Sequence, residues 1–374
     1  MSGARLRVAV LGAGTVGREV VAALLGRPDE LRPADGAALD LVAVAVRDVR
    51  RAIAVGMPAE LLSDAPAHLV ADERIDVIVE LMGGDEPAHT LIAAALSMGK
   101  SVVTANKHVV AHHGPELESI ARRTGATLRF EAAVGGGIPI LGPLAGDLAA
   151  NRIERVRGIV NGTTNFILSE MTDDETPLDY DAALAEAQRL GYAEADPSGD
   201  VEGHDAANKL VILTRLAFDR WLDPAAIAAR PDGADGPAGP GITTVSLADQ
   251  TDARRAGRII RLLAAAAIDD DGDVAATVLP TALRRDSPLG RTAGVRNRIE
   301  IDATPVGRVG FDGPGAGGAA TSSAVLGDLI AVARESGSTW AARRPATGSS
   351  RCRIARPAGE VLVAASGIRY PIDE

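Results

Sequence analysis

Only three lysines, Lys100, Lys107 and Lys209, stand among the 39 basic residues of this 374-residue sequence; every other basic position is arginine. Arginine keeps its proton near neutral pH, whereas a lysine shielded from water can release it. Positions that still hold lysine are therefore where a transferable proton is to be sought. Lys100 reads as part of a surface turn, which leaves Lys107 and Lys209. Upstream of Lys209 run Glu194, Asp196, Asp200, Glu202 and Asp205. Such a cluster is a conceivable metal site, but carboxylates alone in a Gly/Pro-rich loop more often make a solvated turn. Asp205, four residues before Lys209, could also pair with it on a helix surface. His108 and His112 share the same helical spacing, yet no adjoining ligand completes a zinc pattern, and they read as surface histidines.

A second kind of chemistry is written near the start. The β-branched run at 8–11 leads directly into Gly12-Ala13-Gly14-Thr15-Val16-Gly17 and then an apolar-periodic stretch to Leu25. Strand, glycine turn and helix in that order are the context that makes G-x-G-x-x-G a dinucleotide signature. Gly12 permits the turn, Gly14 lets the backbone approach a pyrophosphate, and Gly17 allows the helix to pack close to the strand. The helix N-terminus then offers its N–H groups to phosphate. A second apolar run at 41–46 ends in Arg47-Asp48, where the adenosine ribose should lie. An acid there binds the 2′-hydroxyl of NAD, and an arginine pairs with the 2′-phosphate of NADP. With Arg50 and Arg51 close by, NADP is favoured and NAD stays open.

These groups need a frame. Further strands are expected at 75–81 and 101–104, with a helix over 87–98 between them, so the first part reads as a doubly wound parallel sheet closing near Ala133. Beyond it the pattern gives a strand at 153–160, helices at 178–190 and 203–218, and a Pro/Gly/Asp-rich surface loop at 230–241. Strand-like runs recur at 258–267, 274–279 and 297–301, and a glycine-rich turn at 313–318 precedes a helix over 319–334. The fold class expected is α/β, a Rossmann-type sheet followed by an α/β or α+β domain.

Composition narrows the class. The apolar and charged fractions, 46% and 24%, are ordinary for a globular chain, and no apolar run approaches the roughly 20 residues of a membrane span. A net charge of −11 argues against general nucleic-acid binding. The single Cys352 excludes an internal disulfide, and with no signal-peptide pattern the protein is expected to be cytoplasmic.

Several further stretches resemble the homoserine dehydrogenase family and occur in family order. They are Val-Val-Thr-Ala-Asn-Lys at 102–107, Glu-Ala-Ala-Val-Gly-Gly-Gly-Ile-Pro at 131–139 and Gly-Ile-Val-Asn-Gly-Thr-Thr-Asn-Phe-Ile-Leu at 158–168. Gly-Tyr-Ala-Glu-Ala-Asp-Pro at 191–197, Asp-Ala-Ala-Asn-Lys-Leu at 205–210 and Gly-Pro-Gly-Ala-Gly-Gly at 313–318 complete the set. The resemblance implies NAD(P)H-dependent reduction of L-aspartate 4-semialdehyde to L-homoserine. By the same resemblance Lys209 is the proton donor and Lys107 a second active-site lysine. That agrees with the reaction, because an aldehyde accepting hydride develops negative charge on oxygen and then needs a proton.

Glu194 and Asp205 would hold the substrate ammonium, whereas Asp196 and Asp200 read as turn and capping residues. The cofactor would touch Gly12, Gly14, Thr15, Val16, Gly17, Arg47, Thr104, Lys107, Gly191, Glu194 and Gly315. Glu131, Val134, Gly136 and Ile138 resemble a monovalent-cation site of carbonyls and one carboxylate around Na⁺; the three successive glycines could equally make an interdomain turn. A homodimer with a small-molecule substrate is implied, without nucleic acid or membrane.

The domains expected are 1–133 for the dinucleotide, 134–318 for catalysis and dimerisation, a helix at 319–334 packing back on the cofactor domain, and a basic tail over 335–374. That tail reads as a flexible segment with one possible strand at 360–365, dispensable for catalysis and too short for an amino-acid-binding ACT domain. Other readings are a related oxidoreductase on another amino-acid-derived alcohol or aldehyde, and a non-catalytic dinucleotide sensor. An aspartate-semialdehyde dehydrogenase would need a cysteine nucleophile, and Cys352 lies far from every motif. A sugar dehydrogenase of similar build would carry Glu-Lys-Pro where this chain has Ala-Asn-Lys-His.

Overall fold

The computed structural model describes residues 4–173, 175–228, 241–269, 271–346, 352–353, 361–364 and 366–373. Residues 230–240 of the expected surface loop lie outside them. The chain divides into two compact units, Met1–Asp147 with Ala316–Arg344, and Leu148–Gly315 with Pro345–Glu374.

Unit 1 is built on six strands, β1 (Arg5–Leu11), β2 (Ala38–Ala45), β3 (Leu62–Ser63), β4 (Val77–Glu80), β5 (Ser101–Thr104) and β6 (Leu128–Arg129). All pair in parallel in the order β3-β2-β1-β4-β5-β6. Parallel strands covered on both faces read as continuous apolar runs. Accordingly Val8 to Leu11, Val77 to Val79, and Val102 with Val103 are all fully buried. The order reverses between β1 and β4, and ligands of such sheets bind at the carboxyl ends of the strands there.

The boundary expected at Ala133 falls inside this unit, which continues through the helix Leu141–Ala145. Glu131 explains the continuation, since its carboxylate accepts the N–H groups of Ile140, Leu141 and Gly142, each at 2.7 Å. The helix Gly318–Ala333 also belongs here and lies along the helix Thr15–Gly26. Val20, Val21 and Leu24 share one core with Val325, Leu326 and Leu329. A Cβ at Gly318 would meet the Thr15 carbonyl oxygen at 2.9 Å.

Unit 2 carries β7 (Arg152–Ile159), β8 (Arg258–Ile268), β9 (Val274–Arg284), β10 (Arg296–Thr304), β11 (Gly307–Pro314), β12 (Cys352–Arg353), β13 (Val361–Val363) and β14 (Arg369–Asp373). The sheet runs β11-β10-β7-β8-β9-β14-β13, with β12 also on β9. Its pairs are antiparallel except for β12 and β14, which run parallel to β9. Helices Gly162–Glu170, Tyr180–Arg189 and His204–Phe218 belong to this unit. In the last of these every residue from Asp205 to Phe218 is buried, the signature of a helix enclosed on all sides.

Two expectations need correction here. Lys100 is not a surface residue: it is buried, its Nζ donates to the Asp72 carbonyl at 2.5 Å, and burial pushes its ammonium below the usual lysine range. The tail is not simply a basic flexible segment either. β14 joins the sheet, Tyr370 is fully buried, and its hydroxyl donates to Asp249 Oδ2 at 2.9 Å. The Ser366 hydroxyl donates to the other oxygen of Asp249 at 2.6 Å, and Asp373 pairs with Arg155 at 2.5 Å and with Arg157. These partners lie more than a hundred residues upstream, so composition along the tail could not reveal them. Among the described residues no helix is long and apolar enough to cross a membrane.

Candidate active site

The dinucleotide end of unit 1 is shaped by backbone constraints. Gly12 has φ +100, and a Cβ there would sit 2.7 Å from the Leu81 carbonyl oxygen. A Cβ at Gly17 would sit 2.0 Å from the Gly12 carbonyl oxygen, so no other residue lets the helix approach the turn this closely. Around Gly14, by contrast, there is open space. Gly14 caps the helix Thr15–Gly26 without a side-chain bond, and no acid stands in its first turn. Gly14 and Thr15 are exposed and Val16 half-buried, so the start of the helix is open to solvent, where a phosphate could meet its free N–H groups.

Arg47 is exposed just past β2. Asp48 made the cofactor signal mixed; its Oδ1 accepts the Arg51 N–H at 2.9 Å and caps the helix Val49–Ala54. Arg47 is left as the charged residue at the strand end.

A buried network joins the ends of β4 and β5. Glu80 is fully buried and accepts the N–H groups of Met82 at 2.8 Å and Gly83 at 3.2 Å. The Thr104 hydroxyl donates to Glu80 Oε2 at 2.6 Å and accepts the Asn106 N–H at 2.9 Å. Asn106 in turn donates to the Gly84 carbonyl at 2.8 Å and caps the helix Lys107–Thr124 by accepting from Val109. Thr104 is thus fully buried with its side chain spent on Glu80, and it shapes the loops instead of offering a hydroxyl to solvent. Lys107 is the first residue of the helix this network sets and is half-buried. Sequence reading passed over Glu80 and Asn106. The signals were an acid inside an otherwise apolar strand and an Asn before a helix.

In unit 2 the second lysine sits in the enclosed helix. Lys209 Nζ donates to Asp205 Oδ2 and to the Val160 carbonyl, both at 2.7 Å. Lys209 and Asp205 are only 8% and 9% exposed, so their pair is a buried one and not the surface ion pair that spacing alone allowed. Asn161 donates from its carboxamide to the same Asp205 oxygen at 2.8 Å and to Asp200 at 2.7 Å, while its own oxygen caps the helix Gly162–Glu170. Asp200 therefore anchors Asn161 as well as belonging to its turn. Asp196 keeps the expected role, accepting the Ser198 N–H at 3.1 Å.

Gly191, with φ +75, follows the helix Tyr180–Arg189, and the loop after it docks on the helix Gly162–Glu170. There the Thr163 hydroxyl donates to the Tyr192 carbonyl at 2.8 Å, and the Tyr192 ring meets Phe166 edge-on. Glu194, in the same loop, is exposed, and its carboxylate has no partner among the described residues. Gly315 lies directly over Asn297, whose carboxamide carbon a Cβ would approach to 2.2 Å. Asn297 is fully buried, and neither of its side-chain polar atoms is hydrogen-bonded.

The residues expected around a cation are placed as follows. Val134 and Ile138 are buried, and the carbonyls of Val134, Gly136 and Ile138 accept no hydrogen bond among the described residues. Three such oxygens suit a hard cation. The Glu131 carboxylate accepts three backbone N–H groups, two on Oε1 and one on Oε2. Burial, followed by the neighbouring Asp328 charge, pushes its carboxyl above the usual range.

Comparison with known proteins adds an independent line. A family model described as homoserine dehydrogenase matches residues 139–330, and one described as homoserine dehydrogenase, NAD binding domain, matches 12–131. A homoserine dehydrogenase of Corynebacterium glutamicum is 44% identical over 89% of this chain and 73% of its own length. One from Mycobacterium tuberculosis is 45% identical over 87% and 72% respectively. The crystal structure of a homoserine dehydrogenase from Thiobacillus denitrificans superposes with a TM-score of 0.84 at 37% identity, covering 95% of this chain and 81% of that one. A hyperthermophilic archaeal homoserine dehydrogenase in complex with NADPH gives 0.70 at 28% identity, covering 87% and 97%.

Proposed function

Because the chain belongs to the homoserine dehydrogenase family, interconverting L-aspartate 4-semialdehyde and L-homoserine with a nicotinamide dinucleotide, we propose that Lys209 moves the proton of that reaction. The observation that carries this is its buried ammonium, fixed from two sides by Asp205 and the Val160 carbonyl. A fixed donor loses no time or entropy to reorientation when negative charge appears on the carbonyl oxygen. The bound nicotinamide supplies hydride to the aldehyde carbon, or accepts it in reverse. Lys209 gives its proton to the developing alkoxide oxygen and regains one from solvent, and in oxidation it takes the hydroxyl proton.

The remaining assignments are those the family resemblance implies, and the chemistry of the residues agrees with them. Glu194 offers a carboxylate to the substrate ammonium, and Asp205 does so with the capacity that Lys209 and Asn161 leave it. Lys107 serves as a second cationic group. Gly12, Gly14, Thr15, Val16 and Gly17 cradle the pyrophosphate, with Gly191, Gly315 and the Thr104 loop as further cofactor contacts. Arg47 pairs with a 2′-phosphate, which makes NADP the preferred cofactor; the capping role of Asp48 supports this. A Na⁺ ion would rest on the carbonyls of Val134, Gly136 and Ile138, with Glu131 ordering their loop. The active species is a homodimer.

One assay tests most of this: L-homoserine oxidation followed with NADP and NAD in parallel, with and without Na⁺ or K⁺. Faster turnover with NADP and stimulation by Na⁺ are expected. Equal use of both dinucleotides would remove the support for NADP.

A further inference from the structure

Six histidines occur in the chain, and four of them, His89, His108, His112 and His113, gather in unit 1 on two helices, Ala88–Ser97 and Lys107–Thr124. His89 stands in the first turn of one helix. His113 and Glu116 stand three residues apart on the other and therefore share a face. The ligand atoms of His89, His113 and Glu116 all lie within 4.8 Å of one another.

With His89 neutral, the hydrogen-bond chemistry around it is unbalanced. Its Nδ1 lies 3.2 Å from Glu86 Oε1 and its Nε2 lies 3.0 Å from Glu116 Oε2. Both partners are carboxylates, which only accept. A neutral imidazole carries one N–H, so one of the two contacts would oppose two lone pairs. A cation between Nε2 and Glu116 removes that conflict and leaves Nδ1–H to donate to Glu86, the carboxylate–histidine arrangement that orients metal-bound imidazoles. His113 stacks on His89 with ring centroids 3.8 Å apart and has Asp85 2.8 Å from its own Nε2. Three carboxylates thus surround two imidazoles, a field that attracts a cation.

We propose that His89, His113 and Glu116 form a binding site for a divalent transition-metal ion of the zinc type, with Glu86 orienting His89 and Asp85 beside His113. Two imidazoles and a carboxylate are the donor set such ions prefer, with solvent completing the shell. The separation between Nε2 and Glu116 is already near the ~3.3 Å that two ligands at tetrahedral zinc distances span. The two rings are within 11° of parallel, so one must turn about its Cβ–Cγ bond for both lone pairs to meet one ion. His89 is 18% and His113 26% exposed at the side chain, which leaves the ion a path from solvent. Bound there, it would clamp the helix that Lys107 opens to its neighbour.

The test is Zn²⁺ binding by calorimetry on the untagged full-length protein, with Co²⁺ absorption reporting the coordination. One ion per chain is expected, with d–d bands of a four- or five-coordinate site. Loss of an outer partner weakens metal sites by about 10- to 100-fold, so Glu86→Gln should fall in that range and His89→Ala with His113→Ala should exceed it. Glu116→Gln disturbs the fold least, since its amide can still bond His89. Because it removes a direct ligand, it should weaken Zn²⁺ at least as much as Glu86→Gln while the circular dichroism stays unchanged. The proposal fails if the wild-type protein binds no Zn²⁺. It fails equally if binding survives the His89→Ala, His113→Ala double variant, or is lost instead on changing His108 and His112.

Discussion

Lys209 and Asp205 lie one helical turn apart, joined at 2.7 Å inside the most enclosed helix of the second unit. Spacing of this kind on an exposed helix contributes a few tenths of a kcal/mol. Buried, the same pair is a commitment, because removing either partner strands a charge away from water. Asp205→Asn is expected to destabilise the protein by roughly 3–5 kcal/mol, the range for breaking a buried pair. Urea unfolding of the variant measures it; a loss under ~1 kcal/mol would mean that the Val160 carbonyl suffices to hold Lys209.

Lys209→Arg keeps a positive charge and removes the exchangeable proton. Turnover should drop by about 10² to 10⁴, the contribution of a general acid, with dinucleotide binding retained. Near-normal kcat would show that the proton comes from elsewhere.

Glu194→Gln should raise the KM for homoserine far more than that for the dinucleotide. A charge-assisted bond to an ammonium contributes roughly 1.5–3 kcal/mol, so KM should rise by about one to two orders of magnitude. Among the described residues the exposed carboxylate has no partner to lose, and the melting temperature should not move. An unchanged KM would place the ammonium at another group.

Arg47→Ala should weaken NADP and leave NAD nearly unaffected, since only NADP carries the 2′-phosphate. Equal losses for both would make Arg47 a residue of fold, not of cofactor choice.

Much of this was legible in the sequence, and for identifiable reasons. Glycine turns and parallel core strands impose local rules, so 8–17 could be read as strand, turn and helix directly. Lys209 stood out because the chain so rarely keeps lysine. What escaped were residues whose meaning depends on distant partners. The strand β11 hides its alternation behind Gly307, Gly310 and Gly313. That Glu131 also binds the backbone N–H groups at the start of a helix nine residues on could not be read from its neighbours. Lys100 and the end of the tail were misread for the same cause. Neither Asp72, beside Lys100, nor Asp249, under Tyr370, can be inferred from neighbours in the chain.

The end of the tail supplies its own test. Burial alone would push the Asp249 carboxyl up, yet hydrogen bonds from Ser366, Ser246 and Tyr370 hold it below the usual carboxylate range. A depressed carboxyl contributes stability that is present above its unfolded pKa of about 3.9 and lost as pH falls through its folded value. Tyr370→Phe removes one of those bonds. It should cost ~1–3 kcal/mol near neutral pH and move acid unfolding to higher pH. An unaltered acid transition would show that Ser366 and Ser246 alone hold Asp249.

The helix Gly318–Ala333 closes the core of a unit whose first helix begins at Thr15. During synthesis the two are far apart in time. At roughly 5–20 residues per second, the ribosome needs about 15–60 s to travel from one to the other. Through that interval the nascent first helix carries Val20, Val21 and Leu24 without the cover of Val325 and Leu329. The dinucleotide-binding unit is thus begun before the intervening unit and finished only after it. A growing chain holds an unfinished apolar face while the whole of the intervening unit is made, the stage at which holding chaperones and low temperature should most improve yield.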